Sequence, residues 1–309
     1  MNVERLGIHD SVEAVFPAEE LAAELSGLGP EIVVGEELSD CDAIVTFTYG
    51  PSLLSAEWVH SIQAGVDRFP FDEFEDEGVV LTNSTGIHGD SVGEMVTAYM
   101  IALARDLHGY IRNAEAKRWE RPEWDRPFEI TGEAVCVVGL GTLGMGVATR
   151  ADALGMSVGG VRRTAESVGP VETVFPPSEL KAAVDGARFV VAAVPLNEET
   201  RGLIDGEVFE AMAEDAYLIN VARGPVVDES ALIEALEAGE IAGAALDVFE
   251  SEPLPDSSPL WERDDVIVTP HVAATVRSYY TDIAEIVEEN LERIAASEDL
   301  YNVVVDPRR

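Results

Sequence analysis

The sequence predicts an α/β protein made of two Rossmann-like, doubly wound domains. Apolar strand-like runs alternate with helical patterns along the chain, which is typical of parallel sheets covered by helices. A glycine-rich turn at 139–144 follows one such run and opens a helix, the arrangement with which a Rossmann fold begins. The 309 residues, 47% of them hydrophobic, suffice for two domains of ordinary size.

The first ninety residues contain strands and a helix of their own. Helical spacing indicates a helix over 17–28, and apolar runs indicate strands over 42–47, 58–63 and 79–82. A long helix is predicted from Ser91 to about residue 116, for which Ser91 offers an N-cap with Glu94 at capping-box distance.

The central region repeats the strand–helix alternation more regularly. It indicates seven strands, at 134–138, 157–161, 171–175, 189–194, 217–221, 243–248 and 266–269. It indicates helices that end near 154 and that cover 178–184, 205–212 and 228–238. Asp228 can cap the last of these helices and Gly239 can end it.

An amphipathic helix over 278–296 closes the chain and could pack on the first domain. We therefore expect a discontinuous substrate domain, residues 1–90 completed by 278–309. The dinucleotide-binding domain would cover 91–277.

Composition excludes several functional classes. The net charge of −39, from 59 acidic and 20 basic residues, repels nucleic acid and anionic membranes. No apolar run is long enough to cross a bilayer, and the first residues lack a signal-peptide pattern, so we expect a cytoplasmic protein. Cys41 and Cys136 lie in apolar runs as packing residues, and no His or Cys cluster has the spacing of a metal site.

The glycine turn indicates a dinucleotide site. Gly139 permits the tight turn, Gly141 lets the backbone approach a pyrophosphate, and Gly144 allows close packing of the following helix. The N-terminus of that helix offers N–H groups and a partial positive charge to phosphates.

The residues after the second strand of this domain favour NADP(H), with NAD(H) still accepted. An NAD site usually places an acid there, on the ribose hydroxyls. This chain has Arg162, Arg163 and Thr164 instead, and no acid before Glu166. Two guanidinium groups fit a 2′-phosphate through charge-assisted hydrogen bonds.

Three later strands end in side chains suited to reducing a ketone by hydride transfer. That reaction needs a cation to bind the substrate, an acid for the developing alkoxide, and a group that orients the acid. Arg223, Glu252 and His271 each follow a predicted strand, at the sheet edge where doubly wound folds bind ligands.

The runs around these residues resemble the D-isomer-specific 2-hydroxyacid dehydrogenases. They are N-x-A-R-G at Arg223, D-V-F-x-x-E-P at Glu252 and T-P-H at His271, and further similar runs lie at 63–67, 82–86 and 195–203. The resemblance implies that Arg223 binds the substrate carboxylate and keto oxygen. It implies that His271 is the general acid or base and that Glu252 orients its ring.

The same resemblance implies binding residues in both domains. Asp247 would accept a hydrogen bond from the nicotinamide amide, and Ala64, Gly65 and Val66 would hold the substrate carboxylate, with Tyr49 as a further contact. Other cofactor contacts would come from Thr142, Leu143, Pro195, Thr200, Val221 and Ala222. A homodimer formed through the long helix from Ser91 and the stretch 119–128 is also implied.

Two other functions fit the sequence. One is a formate or phosphite dehydrogenase on the same scaffold, and the other is a nucleotide-sensing regulator that has lost catalysis. The substrate among small 2-keto acids, such as glyoxylate, hydroxypyruvate, pyruvate and longer acids, is left open by the sequence.

The acidic residues are spread along the chain among apolar positions, a pattern typical of proteins from salt-accumulating halophiles. Dense salt screens the repulsion among them within a few ångströms. We expect the melting temperature to be higher in molar KCl than in dilute buffer. A melting temperature that is the same in both, by circular dichroism, would contradict this expectation.

Overall fold

The computed structural model describes residues 1–124, 126–164, 166 and 168–308, and the chain divides into two compact units. The first unit contains Met1–Ile87 and Thr275–Arg309, and the second contains His88–Ala274. None of the helices among the described residues combines the length and the apolar character needed to cross a bilayer.

The first unit is a six-stranded sheet with helices. The strands lie in the order β13-β5-β4-β3-β1-β2, all parallel except β13, which runs antiparallel to β5. The strands are β1 (Arg5–His9), β2 (Glu31–Gly35), β3 (Ala43–Thr46), β4 (Trp58–Ser61), β5 (Val80–Thr82) and β13 (Val303–Val305); the helices are α1 (Ala18–Leu25), α2 (Phe71–Glu77) and α9 (Tyr279–Ala296).

The second unit is a seven-stranded parallel sheet in the order β12-β11-β10-β9-β6-β7-β8. Its strands are β6 (Ala134–Val138), β7 (Ser157–Val161), β8 (Thr173–Phe175), β9 (Phe189–Ala192), β10 (Tyr217–Asn220), β11 (Gly243–Leu246) and β12 (Val266–Val268). Its helices are α3 (Gly89–Ala104), α4 (Leu107–Glu115), α5 (Thr142–Ala153), α6 (Leu180–Val184), α7 (Gly206–Phe209) and α8 (Glu229–Ala238).

The strand order of the second unit reverses at β6. From β6 the chain moves outward through β7 and β8, then returns to β9 on the other side of β6 and continues to β12. This is the doubly wound order that the sequence predicts, and it leaves a crevice outside the carboxyl ends of β6 and β9.

The predicted helix over 91–116 is two helices, and Ser91 is not its N-cap. The chain breaks at Asp106, whose φ of +52° is the left-handed conformation that aspartate tolerates better than most residues. The N-cap position of α3 belongs to His88, and Ser91 lies inside the first turn, where its hydroxyl donates to the His88 carbonyl. The expectation for Asp228 is confirmed, because its side chain accepts from Ala231 N at the start of α8.

A chain of buried polar side chains joins β4 to β5 in the first unit. Trp58 Nε1 donates to Thr82 Oγ1 at 2.7 Å, and this hydroxyl lies 2.9 Å from His60 Nδ1. His60 Nε2 lies 3.0 Å from Ser84 Oγ, which donates to the Ser61 carbonyl. These contacts fit a neutral His60 with its proton on Nε2, and burial lowers the pKa of His60 to about 3.

We predict that His60 makes folding less favourable in acid. Because the pKa of His60 is about 3 in the folded chain, below the usual value near 6.5, the unfolded chain binds the extra proton between these values. This contribution to stability is therefore complete above pH 6.5 and is lost as the pH falls toward 3. Against His60→Gln, which cannot titrate, the wild-type chain should lose about 1.4 kcal/mol of relative unfolding free energy per pH unit below 6.5.

Urea titrations of both proteins at pH 7, 6 and 5 in molar KCl measure this difference. A difference in unfolding free energy that stays constant over these pH values would contradict the assignment of His60.

Candidate active site

The candidate active site of the second unit lies at the carboxyl ends of three neighbouring strands. β10, β11 and β12 are parallel and in register, with Asn220 opposite Leu246 and Leu246 opposite Val268. The residues that follow these strands therefore leave the sheet at the same level, and Arg223, Asp247 and His271 are among them. The sheet thus brings three residues that are distant in sequence to one edge.

Asn220 and Gly224 fix the loop that carries Arg223. Asn220 is 1% exposed, and its side chain donates to the Arg223 carbonyl at 3.2 Å and accepts from Ala222 N at 3.1 Å. A Cβ on Gly224 would collide with the backbone of Phe249, so only glycine permits this close approach. The Arg223 loop is therefore held against the segment that leads to Glu252.

Glu252 and His271 form a hydrogen-bonded pair. His271 Nδ1 lies 2.9 Å from Glu252 Oε2, while Glu252 Oε1 accepts from Phe249 N at 3.2 Å. Both side chains are partly buried, with exposures of 31% for His271 and 23% for Glu252. Since an ionised carboxylate only accepts, it selects the tautomer with the proton on Nδ1. Nε2 is then the nitrogen that can take up and release a proton.

His271 adopts an unusual backbone conformation in this loop. Its φ of +55° is left-handed, which costs a non-glycine residue about 1–2 kcal/mol. Its N–H donates to the Asp247 carbonyl at 2.8 Å, which helps to hold the conformation. Such strain recurs at functional sites, where the surrounding contacts keep a side chain in a fixed direction.

Asp247 is the buried acceptor around which this loop closes. Its carboxylate is almost inaccessible, and it accepts hydrogen bonds from Val272 N at 2.9 Å, Ala273 N at 2.8 Å and Thr269 Oγ1 at 2.7 Å. One carboxylate therefore sets the course of the chain on both sides of His271.

His88, at the N-cap position of α3, is a buried histidine of this unit. Burial and then the positive charge of Arg223 lower the pKa of His88 to about 4, so its ring is neutral near pH 7. The charge of the Arg223 guanidinium disfavours protonation of His88. The neutral His88 ring therefore does not repel Arg223.

The glycine turn has the shape that a pyrophosphate requires. Gly139 has a φ of +101°, and a Cβ there would lie 2.6 Å from the Ala193 carbonyl oxygen. A Cβ on Gly144 would collide with the Gly139 carbonyl, whereas a Cβ on Gly141 would meet open space. Gly141 is also the N-cap residue of α5, and no side chain there accepts a hydrogen bond from the first N–H groups of the helix. These N–H groups can therefore donate to an anion. These residues fit a dinucleotide.

Arg162 lies next to this turn, because it follows β7 as Gly139 follows the neighbouring β6. Val138 and Val161 are opposite each other in the β6–β7 pair, and Gly139 N donates to the Val161 carbonyl at 2.9 Å. Arg162 is half-buried, and Arg163 and Thr164 after it are exposed. This position suits contact with the ribose end of a dinucleotide.

The other predicted cofactor residues lie at carboxyl ends of the same sheet. Thr142 and Leu143 form the first turn of α5, and Val221 and Ala222 are buried directly after β10. After β9, the hydroxyl of Thr200 donates to the Pro195 carbonyl at 2.6 Å and accepts from Asn197 N, which closes a compact loop.

The predicted carboxylate-binding residues form a loop after β4 in the first unit. The Gln63 carbonyl accepts from Ser84 N at 3.0 Å, and the Ala64 carbonyl accepts from Asn83 Nδ2 at 2.6 Å. In a trans peptide the N–H points opposite to the carbonyl, so the N–H groups of Ala64 and Gly65 face away from β5. Val66 is buried at the end of this loop.

Tyr49, predicted as a further substrate contact, follows β3 in the same unit and contacts side chains of the segment 69–74 there. Its hydroxyl donates to Glu73 Oε2 at 2.5 Å, and its ring packs against Phe69 and Phe74. The carboxylate of Glu73 raises the pKa of Tyr49 to about 12 through this hydrogen bond.

Several residues that shape these loops were not predicted from the sequence. They are Asn83, Tyr99, Asn220, Gly224 and Thr269. Asn220 and Gly224 belong to the run around Arg223, so their spacing from the arginine was a usable signal. Tyr99 offered only a weaker one, a single hydroxyl among the buried apolar side chains of α3.

Comparison with known proteins gives one consistent family. Residues 97–273 match the model of the D-isomer specific 2-hydroxyacid dehydrogenase NAD binding domain. The chain is 34% identical over 247 residues to a glyoxylate reductase of Thermofilum pendens, a match that covers 78% of this chain and 72% of that protein.

Solved structures agree over nearly the whole chain. A D-isomer specific 2-hydroxyacid dehydrogenase from Xanthobacter autotrophicus, in complex with NADPH and MES, has a TM-score of 0.81 and 32% identity, covering 99% of both chains. An NADPH-dependent glyoxylate/hydroxypyruvate reductase from Sinorhizobium meliloti, in complex with NADP and sulfate, has a TM-score of 0.80 and 27% identity, covering 97% of this chain and 98% of that one.

Proposed function

The chain belongs to the D-isomer specific 2-hydroxyacid dehydrogenase family, and on that premise we propose that it transfers a hydride between NADP(H) and C2 of a small 2-keto or D-2-hydroxy acid. The observation that carries this proposal is the Glu252–His271 pair at 2.9 Å, beside the strand end that carries Arg223. An oriented acid–base group and a guanidinium at one sheet edge are what reduction of a ketone needs from the protein.

In this proposal each of the three side chains has one task. The nicotinamide supplies or accepts the hydride when it is bound. In the direction of reduction, His271 Nε2 gives its proton to the oxygen on C2, and in oxidation the same nitrogen removes it. Glu252 holds the ring through Nδ1 and stabilises the imidazolium. Arg223 binds the substrate carboxylate and draws electron density toward the keto oxygen.

We also propose that the loop after β4 in the first unit binds a carboxylate. The N–H groups of Ala64 and Gly65 face away from β5, because their peptide carbonyls are engaged by Ser84 and Asn83. Together with Val66 they would form a short backbone cradle for an anion. The relatives that are named glyoxylate or glyoxylate/hydroxypyruvate reductases support a small 2-keto acid as the substrate.

We propose NADP(H) as the preferred cofactor, with NAD(H) also accepted. Arg162 stands next to Gly139 across the β6–β7 pair, and Arg163 and Thr164 extend the same segment. The two solved relatives in complex with NADPH or NADP support this choice. Asp247 would accept from the nicotinamide amide, and Thr142, Leu143, Pro195, Thr200, Val221 and Ala222 would line the remaining length.

A homodimer is also part of the proposal. The stretch after α4 carries Trp119 and Trp124, which are 98% and 93% exposed, and α4 itself exposes Leu107 and Ile111. Large apolar side chains left in water are typical of a surface that a second subunit covers.

We predict that His271→Ala lowers kcat for keto-acid reduction by about 100-fold or more, because the alkoxide loses its proton donor. The assay follows absorbance of the reduced nicotinamide in high salt, with glyoxylate, hydroxypyruvate, pyruvate and longer 2-keto acids. Formate and phosphite oxidation are measured in parallel. His108→Ala, which changes a histidine of α4 in the same unit, is the matched control and should keep normal turnover.

Near-normal turnover in His271→Ala would remove this residue from the mechanism. Turnover of formate or phosphite without reduction of any keto acid would instead favour the other dehydrogenases. Nucleotide binding without any turnover would favour a regulator.

We predict that Arg162→Asp weakens binding of NADPH far more than binding of NADH, because the new carboxylate repels a 2′-phosphate and accepts from ribose hydroxyls. Fluorescence titration gives both Kd values. Lys181→Asp, an equal charge change at an exposed site on α6, should leave the ratio of the two Kd values unchanged. Equal weakening of both cofactors by Arg162→Asp would contradict the assignment.

A further inference from the structure

Tyr99 and Thr269 form a buried hydroxyl relay that ends on Asp247. Tyr99, in the middle of α3, is 4% exposed, and its hydroxyl lies 2.6 Å from Thr269 Oγ1. Thr269 Oγ1 lies 2.7 Å from Asp247 Oδ1, whereas the direct distance from the Tyr99 hydroxyl to that oxygen is 3.5 Å. Tyr99 therefore reaches the carboxylate mainly through Thr269.

The direction of the relay follows from the carboxylate. An ionised carboxylate only accepts, so the single hydrogen of the Thr269 hydroxyl points to Asp247. The hydrogen between the two hydroxyls must then come from Tyr99. Burial raises the pKa of Tyr99, so its phenol keeps that hydrogen.

The relay acts on the segment that carries His271. Asp247 Oδ1 also accepts from Val272 N, and Asp247 Oδ2 accepts from Ala273 N. The Asp247 carbonyl accepts from His271 N. A carboxylate whose direction is fixed by two hydroxyl groups thereby fixes the backbone on both sides of the left-handed His271.

We propose that Tyr99 and Thr269 are positioning residues, which hold the Asp247 carboxylate in the direction that both the His271 loop and the nicotinamide amide require. The catalytic meaning of this inference rests on the proposed function, whereas its effect on the loop does not. Loss of the Thr269 hydroxyl should loosen the loop and weaken the nicotinamide end of the cofactor site. Loss of the Tyr99 hydroxyl should do the same to a smaller degree.

Three variants separate the hydroxyl groups from packing. Thr269→Val removes the hydroxyl and keeps the shape of the side chain. Thr269→Ser keeps the hydroxyl and is the matched control. Tyr99→Phe removes the first donor and leaves the ring packed in the core.

The first readout is amide hydrogen exchange in the protein without cofactor, measured by mass spectrometry. In Thr269→Val, the peptide that contains Val272 and Ala273 should exchange about 10-fold faster, because a hydrogen bond to a charged group is lost next to these amides. A peptide over β10 should be unchanged, and Thr269→Ser should match the wild type.

The second readout compares NADPH with 2′-phospho-ADP-ribose, which lacks the nicotinamide ring. We expect Thr269→Val to raise the Kd of NADPH about 10-fold and to leave the Kd of the fragment within about twofold. The double variant with Tyr99→Phe should be no weaker than Thr269→Val alone, because Tyr99 acts through Thr269.

Wild-type exchange and binding in Thr269→Val would overturn the proposal. Equal weakening of NADPH and the fragment, with faster exchange over β10, would also overturn it, because that result indicates general destabilisation. Effects of the two substitutions that multiply in the double variant would refute the relay. Because exchange is measured without substrate, a failure of the proposed keto-acid activity would leave this test intact.

Discussion

Glu252 and His271 lie 19 residues apart in the sequence, and their side chains meet at 2.9 Å. The proposed chemistry depends on this hydrogen bond, because Glu252 holds the proton on Nδ1 of the neutral ring. Nε2 is then left to exchange a proton with the substrate. Neither residue could reach the other without the parallel order of β10, β11 and β12, which brings the loops after these strands to one edge. The sheet thus sets the position of both residues, and the Glu252 carboxylate sets the tautomer of His271.

The backbone does much of the remaining positioning. Gly224 allows the Arg223 loop to touch the segment before Glu252, and the main chain of Asp247 accepts from His271 N. On the other side of the reversal at β6, Gly139 and Arg162 are set side by side by the pairing of β6 with β7. One parallel sheet thus carries both proposed sites, one for the phosphate end of a dinucleotide and one for proton transfer.

Much of the central sheet could be predicted from the sequence, because its strands are apolar runs that differ sharply from the helices between them. β6 and β7 have the predicted bounds, and the other strands differ mainly by shorter ends. β1, β2, β13 and α2 were not predicted. β13 is three residues long and is stabilised by antiparallel pairing with the distant β5, which no local pattern reveals. The break of the long helix at Asp106 likewise depends on tertiary structure.

Motif spacing identified the candidate residues, but it could not provide their contacts. The pairing of Glu252 with His271 came from a family resemblance, and the relay from Tyr99 to Asp247 crosses 148 positions of sequence. Tyr99 fits the apolar face of α3 as a core residue, so its hydroxyl gave only a weak signal of a polar partner. Likewise, the hydrogen bond from the Tyr49 hydroxyl to Glu73 depends on the fold and could not be predicted from motif spacing.

The position of the proton on the neutral His271 ring shows whether Glu252 selects the tautomer that proton transfer at Nε2 requires. Nitrogen-15 NMR of the protein labelled at histidine, recorded where the ring is neutral, distinguishes a protonated ring nitrogen from a bare one by chemical shift. We predict a proton on Nδ1 and a bare Nε2, and a loss of this preference in Glu252→Gln. A neutral His271 with its proton on Nε2 in the wild-type protein would contradict it.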